Sequence, residues 1–226
     1  MSQEKMLTEK ESLDLIATMI QKAKGNFHER GTSAIMWGAV VGFCGLFSFF
    51  KFEFEINTGW FDVWFLTLLA IIPQIYLAIK ESRDIKVKTH QQEALNAVWI
   101  VYGITIFGVI AYGNIVPGAT EQIFKSVGKE LLEKNIASGE IKTYHPQVFS
   151  QSSLLLLVYA FPTLVTGLVK KFKPMLYGAV LCYALFIASL FTQVKYDMLF
   201  NGIAGIFNWL IPGLILRNRF KKGLPC

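Results

Sequence analysis

Polar and charged residues in this chain do not interleave with apolar ones; they withdraw to the ends of six long apolar blocks. The blocks are Thr32 to Phe50, Phe61 to Ile79, Ala94 to Val116, Ser152 to Val169, Met175 to Val194 and Met198 to Leu216. Each runs for about 18 to 23 residues, close to the number an α-helix needs to cross ~30 Å of hydrocarbon. None holds Lys, Arg or His, and Asp62, at the rim of the second, is the sole acid. Alternation with a period of two is missing, so the blocks read as helices that satisfy their own backbone groups and not as strands of a barrel. The pattern predicts an all-α, polytopic six-helix transmembrane bundle.

Two segments outside the blocks carry a helical pattern of their own. Thr8 and Glu11 form a capping box, and Leu13, Ile16, Met19, Ile20, Ala23 and Phe27 follow at helical spacing. Acids lead this stretch and Lys22 and Lys24 close it, as a helix dipole favours, which predicts an N-terminal amphipathic helix on the membrane surface or on the bundle. Between the third and fourth blocks, Ile123, Val127 and Leu131 recur at four-residue steps, with Ser138 and Gly139 as the stop. The expected organisation is a cytoplasmic helical segment over 1–31, a six-span domain over 32–216 with an outer-side helical loop at 117–151, and a basic tail at 217–226.

Composition agrees: 53% of residues are hydrophobic and 17% charged, too apolar for an ordinary soluble domain of 226 residues. Charge adds orientation. If the six blocks span, sixteen of the 22 basic residues fall on the side of the termini and six on the other, so both termini are expected in the cytoplasm. The same asymmetry accounts for the net charge of +6 without nucleic acid, since basic inner loops face anionic headgroups. Met1 to Arg30 lacks the apolar core of a cleavable signal peptide. Cys44 and Cys182 lie inside blocks and Cys226 lies on the reducing side, so no disulfide is expected, and a terminal cysteine does not fit prenylation. Trp60, Trp64, Tyr112 and Tyr196 toward the outside, with Trp37, Trp99, Tyr102 and Tyr177 toward the inside, fit interfacial anchoring.

Candidate chemistry is sparse. Each odd block holds an aromatic followed by glycine, at Trp37-Gly38, Tyr102-Gly103 and Tyr177-Gly178, and each even block holds a proline, Pro73, Pro162 or Pro212. Gly38 and Pro73 are 35 residues apart and Gly178 and Pro212 are 34 apart, a spacing that suggests three two-helix repeats. A proline frees the carbonyl four residues earlier, here on Leu69, Val158 and Asn208, and three kinks at one depth could open a vestibule lined by Gln74, Thr163, Thr166 and Asn208. The alternative is that the kinks serve packing. Thr67, Thr105, Ser189 and Asn201 complete the neutral polar set, whose ordinary role is interhelical hydrogen bonding. Gly38, Gly42, Gly45, Gly103, Gly108, Gly178, Gly202 and Gly205 are candidates for close helix packing.

With no ionisable group deep in a block, ion-coupled transport lacks its usual residues. His28, His90 and His145 fall in three separate non-membrane segments, and no catalytic or nucleotide motif occurs. No cofactor is implied, and an enzyme is not expected. The runs Glu11-Ser12-Leu13, Met19-Ile20, Ala23-Lys24, Trp37-Gly38 and Leu210-Ile211-Pro212-Gly213 resemble an uncharacterised family of small multi-helix membrane proteins of Bacteroidota. That resemblance implies a bacterial inner membrane and carries no activity with it. The reading that follows is a non-enzymatic scaffold, sensor or accessory subunit whose partners are the bilayer and a protein or second copy met through the N-terminal helix. The alternative is a small transporter or channel for a neutral or passively moving solute.

Overall fold

The computed structural model describes residue 13 and residues 31–84, 90–146 and 151–222. The expected amphipathic helix within 1–31 lies outside these residues, apart from Leu13. Six helices make up the rest: α1 Thr32–Glu53, α2 Phe65–Asp84, α3 His90–Ser126, α4 Gln151–Val169, α5 Lys173–Ser189 and α6 Val194–Lys221. All but α5 are long and apolar enough to cross a membrane; α5 is apolar but has 17 residues.

Contacts along α6 decide what α5 does. Ser153 meets Asp197 and Tyr159 meets Asn208, so α4 and α6 run parallel. The chain must therefore return the full length of the pair through α5, whose ~26 Å at 1.5 Å per residue is a little less than the hydrocarbon thickness. By contrast Gly38 abuts Leu210 and Gly45 abuts Gly202, so α1 and α6 are antiparallel.

Four helices, α1, α4, α5 and α6, form the packed body. Its centre is Val41, Leu156, Tyr159, Ala160, Cys182, Ala204 and Trp209. Glycines set the spacing. A Cβ on Gly45 would lie 2.6 Å from the Gly202 Cα, and one on Gly205 would lie 2.7 Å from the Gly42 nitrogen. Such backbone-to-backbone approach maximises dispersion where no hydrophobic force between helices exists. Among the described residues, α2 packs chiefly on α1 and α3 chiefly on α4, with Trp99, Tyr102 and Ile106 of α3 reaching the buried centre, and both helices present long rows of exposed apolar side chains.

Several expected boundaries shift. The second span starts at Phe65 because Asp62 stands before it as a cap, its Oδ1 accepting from the Trp64 nitrogen at 2.9 Å. The third does not stop before Pro117 but runs through it to Ser126, about 55 Å in all, well beyond a bilayer's hydrocarbon. The sixth starts at Val194, not Met198, and so includes Asp197.

The loop 117–151, expected on the outer side, is helical only as far as Ser126. Gly128, at φ +70°, ends the helix, and Leu132–Lys134 (β1) pairs antiparallel with Ile141–Thr143 (β2). The expected helix through Leu131 fails because Asn135 builds a turn instead. Its Oδ1 accepts from the nitrogens of Ala137 and Ser138, and Gly139 supplies the left-handed residue that closes the hairpin.

Candidate functional site

The three prolines do not meet. Pro162 and Pro212 are buried on α4 and α6, whereas Pro73 is exposed on α2, bordering a shallow apolar groove with Met36, Val40, Phe43 and Ala70. Gln74, next to Pro73, is half-buried and accepts from the Trp37 indole nitrogen at 3.1 Å, tying α2 to α1.

The remaining polar candidates converge on one buried seam between α4 and α6. Asn208 Nδ2 donates to the Tyr159 carbonyl and to Thr163 Oγ1, both at 3.0 Å. Thr163 Oγ1 also accepts from the Trp209 indole at 3.1 Å and donates to the Tyr159 carbonyl. One turn on, Thr166 donates to the Pro162 carbonyl at 2.7 Å and accepts from the Trp99 indole at 3.2 Å, which fastens α3 to α4. Three helices are thus joined by hydroxyls and amides that are nearly all engaged with one another.

Local backbone explains how Asn208 and Trp209 both reach α4. Residues Gly205–Leu210 form a π-helical turn just before Pro212, which has no N–H to donate. The wider turn absorbs the missing bond and brings adjacent side chains to the same partner. It needs room, and glycines provide it: a Cβ on Gly178 would lie 2.6 Å from the Phe207 oxygen, and Gly38 faces Leu210 as closely. Gly103 has nothing within 4 Å among the described residues, so the three aromatic-glycine pairs differ in their surroundings there. Gly42 packs on α6, and Gly108, like Gly103, has open space beside it among the described residues.

Tryptophans assigned to the interface do more than anchor. Trp37 and Trp99 each use the indole N–H to bridge two helices, to Gln74 and Thr166, and Trp64, just before α2, donates to Ser48 of α1. Trp60 alone among them is almost wholly exposed, at 91%.

Asp197 escaped the sequence reading, which placed it in a loop. It is fully buried, with Oδ2 accepting from Ser153 Oγ at 3.2 Å. Asn201, one turn later on the same face, donates to the carbonyls of Ser152 and Asp197. The four-residue spacing of Asp197 and Asn201 was the available signal. Oδ1 atoms of Asp197, Asn201 and Asn208 are buried and accept no hydrogen bond. Among the described residues no group of three or more His, Cys, Asp or Glu side chains is placed to hold a metal ion.

The site thus has the character of a closed polar seam inside a set of apolar helices, five of them of membrane-crossing length, as in a multi-pass membrane protein. Comparison with protein-family models, with curated proteins and with solved structures finds no match to this chain.

Proposed function

We propose that this chain is a non-enzymatic integral membrane protein that works through contacts, as a scaffold, sensor or accessory subunit, with its termini on the cytoplasmic side of a bacterial inner membrane. One observation carries the reading: among the described residues α2 packs chiefly on α1 and α3 chiefly on α4, and both leave long rows of apolar side chains exposed. Gly103 and Gly108 on α3 have open space where a Cβ would stand, so another helix could approach there closely. The bonding of Thr163, Thr166 and Asn208 to helix partners supports it too, because those groups are occupied by packing. Basic residues concentrated in alternate loops support the orientation, and the resemblance noted above supports the compartment.

The N-terminal helix is the proposed cytoplasmic contact surface. Deleting residues 1–25 should convert an oligomer or a partner complex to the lone chain, read by cross-linking in native membranes and by light scattering after extraction. An unchanged assembly would refute the role of that segment.

A small transporter or channel is the second reading, favoured by the polar seam between α4 and α6. Proteoliposome flux decides between them: a solute flux lost in Asn208→Leu would replace the contact reading, and no flux is expected.

A further inference from the structure

The Asp197 end of the α4–α6 seam holds a buried carboxylate that packing leaves unmatched. Asp197 is 0% exposed and Asn201 1%, and each keeps an oxygen with no donor. An unpaired carboxylate withdrawn from water is among the costliest groups a fold can hold. No ion pair among the described residues includes it: Lys195, on the same helix, is engaged 3.0 Å from Glu53 of α1 at the rim. From α4 the group that meets Asp197 is the neutral Ser153 hydroxyl, and the Ser152 carbonyl beside it meets Asn201.

We propose that Asp197 and Asn201 bind one small monovalent cation of sodium-like character, with Asp197 Oδ1, Asn201 Oδ1 and Ser153 Oγ as its protein ligands. The inference goes beyond the contact reading and does not depend on it. Three features select the ligand. Every available group is a hard oxygen, the donor type that alkali and alkaline-earth ions take. The two orphaned acceptors stand one helical turn apart on the same buried face, the separation at which such side chains meet. A single formal negative charge is present, so a monovalent ion leaves a buried site neutral, whereas a divalent one would leave an uncompensated charge in an apolar surround.

Amide orientation reinforces the assignment. Asn201 Nδ2 already donates to two carbonyls, Ser152 at 2.9 Å and Asp197 at 2.8 Å. Reversing the amide would press its oxygen against both, so the acceptor must be the end left unpaired. A bound cation would also join α4 to α6 directly at the end of the seam held by the Ser153 and Asn201 hydrogen bonds.

The test is thermal unfolding of the detergent-purified full chain, with sodium chloride exchanged for N-methyl-D-glucamine chloride at constant ionic strength and pH. Sodium at ~100 times its Kd should raise Tm by about 5 to 10 °C, with lithium or potassium weaker. Asp197→Asn, which keeps the shape and removes the charge, should abolish the dependence. A Tm indifferent to sodium, or the same dependence in Asp197→Asn, overturns the proposal. So does a Tm that responds to pH but not to the identity of the cation, since the occupant is then a proton. Should Asp197→Asn not fold, Ser153→Ala keeps the carboxylate and should weaken sodium affinity about tenfold, and unchanged affinity overturns the assignment.

Discussion

Helices α1 and α2 are neighbours in sequence and similar in composition, yet they lead opposite lives. On α1, Gly38, Gly42 and Gly45 bring the helix against the backbone of α6, and the Ser48 side chain is buried beside Trp64. On α2, Leu69, Ile72, Ile75 and Tyr76 are more than half exposed, and the helix is held to α1 by apolar contact and the Gln74 bond. The same contrast separates the closely packed α6 from α3, whose Gly103 and Gly108 meet nothing among the described residues. Small residues have value in a membrane only where another backbone comes to meet them, because lipid tails solvate a leucine as well as a protein core does. The packed four-helix body and its two flanking helices differ in shape complementarity far more than in hydrophobicity.

The strongest way to break that contrast is to fill the body's closest approach. Gly45→Leu places a side chain where the Gly202 Cα already stands, and should cost about 3 kcal/mol or more, seen as loss of folded protein in detergent melts. The equivalent Gly108→Leu on α3 should leave the melt unchanged. A comparable loss there would mean that α3 is packed after all.

Next comes the seam. Asn208→Leu removes two hydrogen bonds and leaves the Tyr159 carbonyl without its cross-helix donor, at an expected cost of about 1 to 2 kcal/mol. Combining it with Thr163→Val should cost less than the two single changes added together, since one bond is shared. Strict additivity would show that the two side chains do not cooperate.

Smaller still is the tie to a flanking helix. Trp99→Phe keeps most of the ring area and removes the indole donor to Thr166, for about 0.6 kcal/mol. The effect should appear as greater motion of a spin label on α3 with little change in Tm. Gly103→Ala should sit at the bottom of the scale for the lone chain, within about 0.5 kcal/mol of zero, while weakening any assembly made through α3.

How legible this was depended on which signal each residue carried. Thr163, Thr166 and Asn208 were recognisable as polar residues in apolar blocks, and the structure brings them to one seam. Pro73 and Gln74 shared that pattern and went elsewhere, since a proline reports a bend in its own helix and not which helix faces it. Asp197 was missed through a boundary four residues off: hydropathy puts the start of a span after a charge, but a carboxylate enters the fold where Ser153 and a helix N-terminus receive it. The hairpin after Gly128 was missed because three-residue strands have too little alternation to compete with a four-residue apolar spacing.

By itself the sequence determined that apolar helices dominate this protein and where the apolar core of each lies. Length and the exclusion of charge are properties of each segment taken alone, and the cost of an unsatisfied backbone in hydrocarbon enforces the helix. Only the tertiary structure decided which faces meet protein and which do not, and it did so through glycine clearances, the π turn of α6 and the joining of Asn208 to Thr163. In a solvent as greasy as the core, hydrophobicity no longer tells inside from outside, and fit between backbones takes over that choice.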